Sequence, residues 1–260
     1  MTIAYFDCFS GVSGDMVLGA LVDAGLDFDR LRKELRKLPV DNFRIQRRHA
    51  KKHEIVATKI DVIVKAPDGR DVVEAPGADE PHHHYDHNHG PARHLKDLLE
   101  IINESDLDPA IRQRASSVFE HLAAAEGTIH GMDKDDIHLH EVSGMDAVID
   151  IVGACVGLYQ MGIEEVYVSA LPIGSGFVRC AHGRLPVPAP GALELLKGVP
   201  VYQTGTRGEL VTPTGAAIVK TIATGFGPMP RMDLNLIGYG AGTKDFEEHP
   251  NLLRVCIGER

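Results

Sequence analysis

The chain has 260 residues and a formal charge of −10, with 27 Lys and Arg against 37 Asp and Glu. No basic stripe offsets that balance, which argues against a nucleic-acid or membrane-surface role. Cys8, Cys155, Cys180 and Cys256 are scattered with no Cys-x-x-Cys pair, Met1 leads directly into a strand, and no apolar run reaches a membrane-spanning length. A reduced, cytoplasmic protein of one large domain or two modest ones is therefore expected.

Residues 3–9 form a short apolar strand, followed by a turn with Ser10, Gly11, Ser13, Gly14 and Asp15 and then a helix stopped by Gly25. Strand, glycine-rich turn and helix is an arrangement that presents backbone N–H groups to a phosphate. The turn lacks the Gly-Lys-Ser/Thr ending of a Walker sequence. Asp7 and Asp15 flank it and are alternative ligands for a divalent ion; in the plainer reading the glycines serve only the turn, and Ser13 or Asp15 caps the helix. A second helix over 28–38 stops before Pro39, and strand-like runs at 43–49 and 55–66 pair as a hairpin.

Residues 67–92 are rich in Pro, Gly, Asp and Glu and include His82, His83, His84, His87 and His89. This composition predicts a mobile inserted loop with capacity for nickel, copper, zinc or cobalt, suited to metal capture more than to catalysis. The tract is internal and interrupted by Tyr85, Asp86 and Asn88, unlike an expression tag.

Helices are expected at 94–103 and 108–127. Beyond them, His138 and His140 alternate about Leu139, so an extended segment projects both imidazoles from one side. Ser143 reads as a helix N-cap with Asp146 in the capping-box position. The helix over 145–161 is apolar almost all round, which marks it as buried. Asp146 and Asp150 share one face of it. Asp150 lies too deep to be a cap, and a lone buried carboxylate needs a cation, a donor or a metal. Together with Glu141, these imidazoles and carboxylates form a candidate metal or acid/base site, although His-x-His is a short motif and Asp146 could simply cap its helix.

A strand at 166–171 is followed by a glycine-bordered hairpin at 174–187 that contains His182, a second candidate base or ligand. A proline-dense lead-in then enters a helix at 192–197. Thr212 caps a helix with Pro213 at its first position, another candidate anion site. The Gly238-Tyr239-Gly240-Ala241-Gly242 run is a dinucleotide-like signal without the helix that should follow it. A closing strand covers 252–257. The elements imply a mixed α/β fold with interleaved helices and strands, some antiparallel hairpins and the inserted His-rich loop.

Taken together and in order, several segments resemble the LarC-type nickel insertion proteins. They are residues 6–16, the His-rich loop, His138 to Val142 with Asp146 and Asp150, residues 171–176, 182–190 and 209–217, and Gly238 to Gly242. The resemblance implies nickel insertion into a pyridinium-3,5-bisthiocarboxylate mononucleotide, completing the nickel-pincer cofactor of lactate racemase-type enzymes. Nickel is then the substrate metal, and CTP with Mn or Mg is consumed or required. It also implies a C-terminal CTP-associated domain, here absent, so that residues 1–260 form one compact N-terminal region. That domain would come from the same protein or a separate chain; a lactate racemase-type apoenzyme would act downstream, and a homo-oligomer is expected. On this reading His138, His140, Asp150 and His182 are the catalytic candidates, and residues Ser10–Asp15 hold the substrate phosphate or its ion. The metal candidates are Asp7, Asp15, the five loop histidines, His138, His140, Glu141, Asp146 and Asp150. Rival readings are a nickel storage protein or metallochaperone built on the His loop, and a nucleotide-binding phosphotransferase.

Overall fold

Strand β1 (Thr2–Asp7) is apolar through its centre and lies inside a mixed sheet. The computed structural model describes residues 1–41, 43–65, 70–74, 94–139, 144–180 and 183–260. In chain order, β1 is followed by α1 (Gly14–Asp23), α2 (Phe28–Leu35), β2 (Phe43–Lys52), β3 (Ile55–Lys65), β4 (Asp71–Glu74), α3 (Leu95–Asn103), α4 (Pro109–His130) and α5 (Met145–Gln160). Then come β5 (Glu165–Val168), β6 (Leu171–Ser175), β7 (Phe177–Cys180), β8 (Gly183–Pro186), α6 (Pro190–Leu195) and β9 (Val201–Arg207). The chain closes with α7 (Pro213–Ile222), β10 (Gly225–Phe226), β11 (Asp233–Ala241) and β12 (Leu252–Glu259).

The main sheet runs β10-β5-β1-β12-β11-β3-β2, with β4 added on β3. β10, β5 and β1 are parallel, β12 is antiparallel to both its neighbours, and β2 pairs antiparallel with β3 along its whole length. The mixed α/β class and both hairpins expected from the sequence are present, the second as β7 with β8. β6 and β9 form a separate parallel pair. Among the described residues no helix is long and apolar enough to cross a membrane.

Several boundaries differ from expectation for identifiable reasons. The strand expected at 166–171 is two strands, because Ser169 ties back to β1 through Cys8 N–H (2.9 Å) while Leu171 N–H turns to the Pro200 carbonyl (2.9 Å). Residues 71–74, expected within a mobile loop, form β4, with Val72 and Val73 supplying the β propensity and Arg44 holding Asp71 at 2.8 Å. The loop histidines lie outside the described residues. So does Ser143, the expected cap of α5, where Gly144 occupies the N-cap position.

The core is organised on α1 and α5. α5 is buried on every side, as its all-round apolar sequence requires, and glycines let the two helices approach closely: a Cβ on Gly153 would lie 2.7 Å from a Leu18 methyl. The glycines of β11 have the same origin. A Cβ on Gly240 would lie 1.8 Å from the Met16 carbonyl oxygen, and one on Gly238 would lie 2.1 Å from that of Ala20. The dinucleotide-like run is thus the bed on which α1 rests, and the backbone that approaches it belongs to a helix rather than to a phosphate.

Candidate functional site

The turn after β1 runs beside the segment that enters α7. Val12 N–H donates to the Leu210 carbonyl (2.9 Å) and Thr212 N–H donates to the Val12 carbonyl (3.1 Å). Gly11 has φ +100°, and a Cβ there would sit 1.9 Å from the Leu210 oxygen, so this crossing requires glycine. Thr212 caps α7 as its sequence predicts, accepting from Gly215 N–H at 3.1 Å. The amino ends of two helices are thereby fixed side by side.

At the α1 end one amide is met by the helix's own carboxylate. Asp15 accepts from Met16 N–H (2.9 Å) and from the Ser13 hydroxyl, and its other oxygen receives the Lys59 ammonium. Lys59 also donates to the Thr243 hydroxyl at 2.9 Å. Asp15 and Lys59 are 5% and 3% exposed, so this is a buried ion pair whose partners depend on each other. Behind it stands Asp150, also buried, packed so closely on α1 that a Cβ on Gly14 would lie 2.5 Å from its Oδ2. Its Oδ1 has no hydrogen-bond partner. Burial raises the Asp150 carboxyl well above the usual carboxylate range, the Asp15 and Asp146 charges push it further, and Lys59 opposes them. The direction favours the protonated form of Asp150.

A cavity of about 30 Å³ opens over this cluster, lined by Ser13, Asp15, Glu209, Thr212, Thr243 and Lys244 among others. Asp150 does not line it. A larger hollow of about 310 Å³ lies at the other end of α1, around Leu26, Arg30, Gln160 and Leu236, and contains none of the expected site residues.

The remaining expectations separate in space. Asp7 pairs with Arg254, opposite it on β12, through Nε at 3.0 Å and through a second guanidinium nitrogen. The Ser10 hydroxyl is taken by His249 Nδ1 at 2.8 Å, and that ring's Nε2 meets the Thr206 hydroxyl at 3.0 Å. Within the Ser10–Asp15 turn, Ser10 is thus bonded to His249, and Asp15 to Ser13, Met16 and Lys59. His138 is exposed, and its ring lies 3.8 Å from that of His94, where the two residues form a short antiparallel bridge. Asp146 is in the first turn of α5. Among the described residues no group of three or more His, Cys, Asp and Glu side chains is placed to hold a metal ion. His140, Glu141 and His182 lie outside the described residues.

Lys59, Thr243 and His94 were not singled out by sequence reasoning. Lys59 carried one signal, a lysine amid the apolar centre of a strand, but its partner is 44 residues away.

The Nickel insertion protein family model matches residues 4–260. A pyridinium-3,5-bisthiocarboxylic acid mononucleotide nickel insertion protein of Desulfitobacterium hafniense is 47% identical over 259 residues, covering 100% of this chain and 59% of that protein. One of the same name from Geobacillus kaustophilus is 43% identical over 259 residues, covering 100% of this chain and 60% of its own length. The chain thus spans about three-fifths of the length of these curated relatives. No solved structure matches it. With the family match running from β1 through β12, the chain belongs to the nickel insertion protein family.

Proposed function

We propose that this chain carries the mononucleotide-handling part of a protein that inserts nickel into pyridinium-3,5-bisthiocarboxylic acid mononucleotide. The observation that carries the reading is that relatives bearing that name align along the whole chain, with the Asp15–Lys59–Asp150 cluster and its cavity inside the aligned region. The chemistry of the lining agrees. A pyridinium ring is a cation, and Glu209 places a carboxylate at the cavity; Lys244 and the hydroxyls of Thr212 and Thr243 provide a positive charge and donors for a phosphate. Nickel, as substrate, binds two thiocarboxylate sulfurs and a ring carbon, and that carbon gives up its proton as the nickel–carbon bond forms.

Asp150 is walled off from the cavity and does not take that proton directly. We assign proton removal and nickel delivery to the imidazoles, namely His138 together with His140 and His182, fed by the His-rich loop. Neutral imidazole both accepts a proton near neutral pH and releases nickel to the softer sulfur. The described residues do not fit CTP with its manganese or magnesium ion: the Asp15 carboxylate is committed to Lys59, and among the described residues no group of three or more acidic, His or Cys side chains is placed to hold the ion. In this reading CTP use belongs to a further part of the same protein or to a separate chain, and the product serves lactate racemase-type enzymes.

The test is calorimetric titration of the chain with the thiocarboxylate mononucleotide, followed by mass spectrometry for the nickelated product, with a full-length relative as positive control. Binding by this chain, weakened at least about tenfold by Glu209→Gln with Thr212→Ala, supports the assignment. A chain that folds normally and shows no affinity for the mononucleotide sinks it.

A further inference from the structure

Ligand pockets for molecules of mononucleotide size hold on the order of 300 Å³ or more, and the space over Asp15 is about 30 Å³. One of its walls must move before such a ligand enters. The wall formed by α1 and α7 is tied by backbone hydrogen bonds and by glycine contacts to the sheet, and moving it would disrupt the core. The facing wall, residues 242–251 between β11 and β12, is attached differently. Phe246 is its one buried large apolar side chain, and side-chain hydrogen bonds do most of the holding.

His249 of the loop meets the Ser10 and Thr206 hydroxyls, and the bonds to its 243–246 half come from one hairpin. Lys52, at the end of β2, donates to the Lys244 carbonyl (3.0 Å), the Thr243 carbonyl (3.3 Å) and the Asp245 carboxylate (2.6 Å). His53, the next residue, meets the Phe246 carbonyl through Nε2 at 2.7 Å. His53 and Glu54 form the two-residue turn into β3 with φ of 45° and 69°, values that favour Asn and Gly. A turn that keeps His and Glu there carries conformational strain, and its side chains grip the loop. Lys59 adds its contact to the Thr243 hydroxyl from β3.

We propose that residues 242–251 are a gate over the Asp15 cavity, latched by Lys52 and His53 of the β2–β3 hairpin, that opens independently of the core to admit the ligand. The identity of that ligand as a pyridinium mononucleotide rests on the function proposed above; the gate itself does not.

Hydrogen exchange followed by mass spectrometry tests it on the whole chain, in the wild type, Lys52→Met and His53→Asn. Asn suits the positive φ at position 53, so the second variant keeps the turn while removing the ring. Exchange within 242–251 is expected to rise about fivefold in Lys52→Met and about threefold in His53→Asn, with α1 and α7 unchanged. Equal rises in the loop and both helices, or no rise in a folded His53→Asn, would overturn the gate. Nicotinic acid mononucleotide, added as a probe, is expected to slow exchange of the loop and of the α1 and α7 ends. If the variants free the loop and the probe protects nothing, the gate stands and the mononucleotide assignment falls.

Discussion

The two walls of the Asp15 cavity are built on opposite principles. On one side, α1 lies so close to β11 that a single methyl on Gly240 would meet the Met16 carbonyl oxygen. On the other, the 242–251 loop is held by the Lys52 and His53 side chains and by its own His249 on the Ser10 and Thr206 hydroxyls, with Asn251 bonding Lys244 inside it. Close backbone packing has one arrangement and fails as a unit, since a protein interior does not deform gradually. Side-chain hydrogen bonds are worth about 0.5–1.5 kcal/mol each, and more when charged, and they can be released singly. The site therefore pairs a fixed floor, carrying Asp15 and the two helix ends, with a wall that can be let go.

The largest effect expected from this contrast is at the floor. Gly240→Ala would place a Cβ 1.8 Å from one backbone atom and 2.6 Å from the Ala20 nitrogen, neither the end of a flexible side chain. The substitution should cost about 4 kcal/mol or more, a large share of a domain's total stability. Insoluble protein, or a denaturation midpoint far below the wild type's, is expected. A variant within about 1 kcal/mol of wild type would mean that α1 can lift from the sheet, and the two walls would no longer differ in kind.

Next in size is a comparison of two lysines. Lys59 is buried against a buried carboxylate, whereas Lys52 pairs with Asp245, whose side chain is 83% exposed. Lys59→Met strands Asp15 in the interior and should cost about 3–5 kcal/mol. Lys52→Met leaves only carbonyls and a solvated carboxylate, and about 1 kcal/mol is expected. Chemical denaturation separates the two. Adding Asp15→Leu to Lys59→Met should recover most of the loss, because an apolar pair avoids the stranded charge. Equal costs for the two lysines would show that burial at Asp15 is not what distinguishes the floor.

How far this site could be read from sequence follows from the range of its interactions. The Thr212–Pro213 helix start, the β2–β3 hairpin and the buried position of Asp150 were legible, since caps, alternation and a carboxylate in an apolar helix are local signals. The Asp15–Lys59 pair was not, because nothing within β3 indicates which distant element will supply its counter-charge. The Gly238–Gly242 run shows the limit of a glycine motif. Missing Cβ atoms report that something comes close, and here it was a helix backbone. The Ser10–Asp15 turn shows a related limit: its sequence does not tell that Asp15 itself accepts from one amide of the helix it opens.

The smallest effect expected is the most specific to Asp150. Its carboxyl is raised from the ordinary 3.8, first by burial and then by Asp15 and Asp146. The folded chain therefore holds a proton that the unfolded chain releases above that ordinary value, and stability falls as pH rises from about 4 toward the raised value. Asp150→Asn keeps the shape and cannot ionise. The two proteins should melt alike near pH 4, and the Asn variant should gain steadily as pH rises, by at least about 2 °C at pH 8, the shift that roughly 1 kcal/mol produces in a domain of this size. The comparison needs only thermal melts at a series of pH values, with Asp61→Asn as a control on a partly exposed carboxylate. A constant difference at every pH would mean that Asp150 is charged in the folded state, and that Lys59 serves two carboxylates at once. The floor of the site would then carry one more negative charge beneath Asp15, in place of a carboxyl whose burial favours the protonated form.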